Sequence, residues 1–130
     1  MNFNLHRPCP NCPFRRDVAF CLTRARRSEI AASLLFGDQT FACHKTVDYV
    51  AWEEAREAVN EDGGDVAVAY PHQGDEEHCA GALIVMAKSN MLFANYLFRL
   101  AALSKIFEPD KLDMNSPVFE DLDRFVENAP

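Results

Sequence analysis

A chain of 130 residues that is 48% hydrophobic and holds ten phenylalanines can fold as one domain around its own core. It therefore has no need of the disulfide framework on which short secreted chains rely when they cannot bury enough apolar surface. A net charge of −7 excludes a general electrostatic attraction to nucleic acid, though the charge is unevenly spread: residues 1–50 carry seven Lys/Arg against four Asp/Glu (+3), and residues 51–130 six against sixteen (−10).

The first residues, Met-Asn-Phe-Asn-Leu-His-Arg-Pro, contain no basic segment leading into an apolar one, so no signal peptide is expected. The longest apolar stretches, residues 80–87 and the run 91–103 interrupted by Arg99, fall short of the ~20 residues a membrane helix needs. A soluble, cytoplasmic protein with no membrane partner is the expectation. In that compartment spaced cysteines point to metal binding or catalysis before disulfides.

Residues 1–14 carry Pro8, Cys9, Pro10, Cys12 and Pro13 and read as an irregular loop. A helix is predicted from Asp17, with Asp17 as N-cap and Val18, Cys21, Leu22 and Ala25 on one stripe. Ser28 can cap a second helix through Ile30, Leu34 and Leu35, ended by Gly37, so residues 17–36 form one helix or two. Residues 40–46 read as short and extended and carry Cys43-His44. A helix rich in Glu and Ala follows from Asp48 or Tyr49 to about Val59. Residues 60–65 read as a turn, and residues 66–70 as a short strand.

Asp75, Glu76 and Glu77 suit the positive end of a helix over residues 79–88. Ser89 or Asn90 is then expected to cap a helix over residues 91–105. That segment is apolar around most of its circumference and so is expected at the centre of the core. Pro109 closes it. Ser116-Pro117 reads as N-cap and N1 of a last helix that turns Val118, Leu122, Phe125 and Val126 inward. The fold class that results is mainly α: residues 1–130 as a single compact domain with an irregular Cys-Pro loop at its start and at most a short strand pair.

Four of the five cysteines are candidate ligands. Cys9-Pro-Asn-Cys12 is spaced so that one turn can aim both sulfurs at one metal, and Pro10 and Pro13 stiffen that turn. Cys43 lies off any apolar helical stripe. Cys79 stands at a helix start, where the dipole favours the thiolate. Cys21, inside an apolar pattern, reads instead as core. His44 and His78 adjoin Cys43 and Cys79, so either is an alternative ligand in a Cys3His site or a group supporting the ligands. His6 and His72 read as surface residues.

The spacing is one close pair followed by single cysteines 31 and 36 residues further on. Structural zinc usually takes two close pairs, whereas clusters tolerate dispersed cysteines, and a Cys followed by Pro, as at Cys9 and Cys12, also occurs in cluster-binding runs. A [4Fe–4S] cluster is therefore preferred, with Zn2+ on the same ligands as the alternative. An anionic thiolate centre would draw stability from the arginines nearby, among them Arg15, Arg16, Arg24, Arg26 and Arg27.

The segments Cys-Pro-Asn-Cys-Pro-Phe-Arg (9–15), Phe-Ala-Cys-His-Lys-Thr (41–46) and His-Cys-Ala-Gly-Ala-Leu-Ile (78–84) resemble a family of small uncharacterised proteins of bacteriophages and some bacteria, marked by CxxCPFR, CHKT and CAG motifs. The resemblance spans roughly residues 9–90. It implies Cys9, Cys12, Cys43 and Cys79 as the shared cysteines, with Arg15, His44, Lys45, Thr46 and Gly81 beside them, and a phage-like origin in a host cytoplasm. It implies no reaction.

The expected role is a non-enzymatic metalloprotein whose centre staples the N-terminal loop to Cys43 and the Cys79 helix. Its acidic C-terminal half, with Asp110, Asp113, Glu120, Asp121, Asp123 and Glu127, would meet a host or phage protein. A redox or hydrolytic enzyme is the alternative, but no thioredoxin-like pattern surrounds the Cys9–Cys12 pair and no His-Glu-x-x-His or deaminase motif is present. A nucleic-acid module built on the N-terminal arginines is the third reading, disfavoured by net charge.

Overall fold

In the computed structural model, residues 1–59 and 76–129 are described; the turn expected at 60–65, the strand expected at 66–70, His72 and Asp75 lie outside them. Five α-helices follow one another: α1 (Arg24–Leu35), α2 (Tyr49–Val59), α3 (Ala80–Lys88), α4 (Tyr96–Leu103) and α5 (Leu122–Glu127), with short 3-10 turns at Leu92–Ala94 and Pro109–Lys111. The mainly α class is as expected. Extended pairing among the described residues is limited to isolated bridges, Asn2 with Glu77, Arg15 with Val118 and Ala42 with His78.

The first helix begins later than its sequence suggests. Arg15 takes the Asp17 carboxylate through two hydrogen bonds of 2.8 Å, and no helix follows Asp17 for it to cap. Thr23 caps instead, its Oγ1 accepting from the Arg26 amide at 3.1 Å, and one uninterrupted helix runs through Ser28 to Leu35. The segment before it is held by Arg27, which is buried and donates to the carbonyls of Phe20, Leu22 and Phe125. Residues 17–23 are thus non-helical, and Cys21 is exposed rather than in the core. The left-handed turn after α1 falls on Asp38 (φ 48°), next to the expected Gly37.

The helix at the centre is α3, not the segment 91–105. Every residue from Ala80 to Met86 is buried, against Phe14, Leu34, Phe98, Phe125 and other members of one core. Residues 91–105 break at Asn95. This side chain accepts from the amides of Leu97 and Phe98 and donates to the carbonyls of Leu34 and Gln39. A buried amide that caps α4 while closing the end of α1 fixes the break. Of α4 only Phe98 is buried, and Leu97, Leu100 and Leu103 face outward.

Ser116 likewise does not cap the last helix. Val118 bridges back to Arg15, and Asp121 caps α5 through the Arg124 amide at 2.8 Å. The inward face is as expected for Val118, Leu122 and Phe125, with Val126 half-buried.

Candidate metal centre

Three chain-distant segments bring the candidate cysteines together, each held by its own turn. The Cys9 carbonyl accepts from the Cys12 amide at 3.1 Å, and the Cys12 carbonyl from Arg15 at 3.1 Å. The Cys43 carbonyl accepts from both the amide and the hydroxyl of Thr46, each at 2.9 Å. That hydroxyl accepts in turn from the Glu77 amide, so Thr46 fastens the Cys43 turn to the extended residues leading into α3. Backbone bonds from Cys43 to the Glu77 carbonyl (2.7 Å) and from Cys79 to the Phe41 carbonyl (2.8 Å) complete the join. Cys79 then opens α3 as its N-cap.

The sulfurs of Cys12 and Cys79 lie 3.5 Å apart, both buried. Cys43 is also buried, and it stands near enough for its charge to push up the thiols of Cys9 and Cys79. All five cysteines are reduced. As placed, no three His, Cys, Asp or Glu side chains among the described residues are gathered tightly enough to ligate one ion. Cys12 and Cys79 touch, whereas Cys9 and Cys43 stand back from them.

Gly81 explains how the loop reaches the helix. A Cβ at this position would lie 2.4 Å from the Cys12 sulfur and 3.1 Å from the Phe14 Cβ. Only glycine leaves room for the thiol against the first turn of α3. Gly81 stands in the CAG motif, but helix periodicity gives no reason for a glycine there. Its signal is the steric one, visible only in three dimensions.

The electrostatics favour one thiolate in the buried pair. Cys12 is drawn below the usual thiol range by its hydrogen bond to Cys79, helped by the Phe14 and Gly81 amides and the Arg15 charge. Cys79 is pushed well up by the same hydrogen bond and by burial, so it keeps the proton the two share. Burial raises Cys9, while the Asn11 amide and Lys45 draw it down. Arg15, anchored by Asp17, and Lys45 are therefore the cations that reach the sulfurs.

The other arginines of the basic half are placed elsewhere. Arg16 pairs with Glu120 and Arg26 with Glu29, while Arg27 is bound to carbonyls. Among the described residues this leaves Arg24 without a carboxylate partner, a poor basis for a phosphate-binding surface.

The two histidines differ. His44 Nε2 faces the Cys9 sulfur at 3.9 Å, and burial keeps its imidazole toward the neutral form. His78 stands with the supporting groups, its ring nitrogens facing backbone. It is buried, its Nε2 accepts from the Phe41 amide at 3.0 Å, and its Nδ1 is 3.1 Å from the Cys79 carbonyl. With both ring nitrogens committed to backbone and Phe3 stacked on the ring, it supports the Cys79 turn from behind.

Among the described residues no helix is long and apolar enough to cross a membrane. Compared with known proteins, the chain matches no family model, no curated protein and no solved structure.

Proposed function

We propose that the protein is a non-enzymatic metalloprotein in which Cys9, Cys12, Cys43 and Cys79 hold a thiolate-ligated centre, a [4Fe–4S] cluster. The observation that carries this reading is the seating of Cys12 against Cys79 over the Cβ-less Gly81, with Cys9 and Cys43 close by on separate turns. Packing alone gives no reason to bring two thiols of a proline-stiffened loop to a helix N-terminus. Amide donors and the Arg15 and Lys45 charges around the sulfurs suit an anionic thiolate set. A cluster takes one thiolate per iron, which accords with Cys9 and Cys43 standing back from the Cys12–Cys79 contact.

When bound, the centre supplies folding energy, fastening an irregular N-terminal segment to Cys43 and α3. Cys12 and Cys79 anchor it, Thr46 and His78 hold the backbone behind the ligands, and His44 screens Cys9. The acidic C-terminal half is the surface for a host or phage protein, in keeping with the motif resemblance and a cytoplasmic setting. Of that half, Asp113, Glu120 and Asp121 are already paired with Arg7, Arg16 and Arg124, which leaves Asp110, Asp123 and Glu127 to meet a partner.

A structural Zn2+ on the same ligands is the second reading, favoured by the 3.5 Å separation of the Cys12 and Cys79 sulfurs. Two thiolates about 2.3 Å from one tetrahedral ion stand at nearly that distance. Anaerobic purification followed by an absorption spectrum and analysis for iron, sulfide and zinc separates the two. A brown protein with iron and sulfide supports the cluster, and a colourless one with one zinc per chain supports the staple. Neither metal in stoichiometric amount would overturn the proposal.

A further inference from the structure

The Cys12 and Cys79 sulfurs meet at 3.5 Å across 67 residues of chain, and both thiols are reduced. A disulfide holds its sulfurs about 2.05 Å apart, so the pair is roughly 1.5 Å from a covalent bond. Shared between the two side chains, closure asks about 0.7 Å of each sulfur. The contact is two-way. Cys9 and Cys43 stand back from it, and no group of three His, Cys, Asp or Glu side chains among the described residues closes on one point.

The surroundings hold these sulfurs to each other rather than to solvent. Cys12 is 1% exposed and Cys79 4%. The backbone of α3 stands directly behind Cys12, where a Cβ on Gly81 would meet its sulfur. The Cys9–Cys12 turn fixes one backbone, and the amide bond from Cys79 to the Phe41 carbonyl fixes the other. Two thiols confined in this way are poised to react with each other once either is oxidised.

We infer that Cys12 and Cys79 form a peroxide-responsive pair whose closure to a disulfide withdraws two sulfurs from the metal site while keeping the N-terminal loop fastened to α3. The withdrawal of ligands rests on the four-cysteine centre proposed above; the closure itself rests on the sulfur contact alone. Hydrogen peroxide, small enough for a buried site, is the oxidant. One thiol breaks its O–O bond and becomes a sulfenic acid, releasing water. The second sulfur displaces the hydroxyl, the S–S bond forms, and a second water leaves with the remaining thiol proton. The two sulfurs give up two electrons and the peroxide oxygens take them. A covalent tie then joins the same two segments that the centre would join, so the chain stays folded as the site empties.

The test treats the full chain, purified anaerobically, with hydrogen peroxide and then alkylates the remaining thiols. Peptide mapping should find Cys12 joined to Cys79, with Cys9, Cys21 and Cys43 alkylated. Metal content should fall in step with the bridged fraction while far-UV circular dichroism holds. Dithiothreitol with fresh metal should restore the starting state. The Cys43→Ser chain, which lacks one proposed ligand, should form the same bridge without metal. A wild type that carries no metal defeats the proposed centre and the withdrawal of ligands with it, whereas the bridge is read from the map independently. A bridge through Cys9, Cys21 or Cys43, or Cys12 carried to a sulfinic acid while Cys79 is alkylated, overturns the inference. So does a bridged protein that keeps its metal.

Discussion

Gly81 and Cys12 are in steric register: the hydrogen at Cα of the glycine occupies the only space from which a Cβ would meet the Cys12 sulfur, at 2.4 Å. This contact locks the N-terminal loop onto the first turn of α3 and brings Cys12 to Cys79. In an ordinary helix interior, Gly→Ala is stabilising by about 0.5–1 kcal/mol. Gly81→Ala should reverse that sign. Crowding of the buried sulfur should cost about 1–3 kcal/mol, seen as a lower denaturation midpoint and reduced metal content. A stabilised variant with full metal would show that the contact is dispensable.

The ligand set is tested by serine substitution. Cys9→Ser, Cys12→Ser, Cys43→Ser and Cys79→Ser should each lose metal and several kcal/mol of stability, on the order of what a structural thiolate site contributes. Cys21→Ser, at an exposed position, should keep both. Equal metal in Cys43→Ser and wild type would sink the four-cysteine assignment. His44→Ala should retain full stoichiometry, and loss of half or more of the metal would instead make His44 a ligand.

His78 is neutral by burial, with its pKa pushed down to about 4. The unfolded chain takes up a proton near pH 6.5, roughly the ordinary value, which the folded chain refuses until about 4. The depressed group therefore leaves stability intact above pH ~6.5 and removes it as pH falls through that window, by up to about 3 kcal/mol. Urea titrations at pH 7 and 4.5 should show a steeper loss for wild type than for His78→Gln. Both proteins keep the cysteines and share their acid sensitivity, so equal slopes would place the titration elsewhere.

Asn95 satisfies four backbone groups from one buried amide. Asn95→Ala should cost about 2–4 kcal/mol, combining a lost N-cap with two orphaned carbonyls. Asn95→Asp would keep the cap and lose both donors. Its stability should fall between wild type and alanine only if the carbonyls reach water. Thermal unfolding of the three proteins checks the order.

What the sequence by itself determined is local. Pro10 and Pro13 restrict the Cys9–Cys12 loop to a turn, the run from Ala80 to Met86 is apolar enough to be a buried helix, and α2 starts where its composition predicts. These depend on neighbours in the chain. The tertiary structure decided every contest between distant groups. Asp17 and Ser116 are good caps by type, but Arg27 ties the segment after Asp17 to the Phe125 carbonyl and Val118 pairs back to Arg15, so Thr23 and Asp121 cap in their place. Residues 91–105 are apolar around most of their circumference, so periodicity could not say which face is buried or that Asn95 would break the helix to serve Leu34 and Gln39. Cys21 left its expected place in the core for the same reason. Burial and hydrogen bonding are settled by what packs opposite, and that partner lies tens of residues away in the chain.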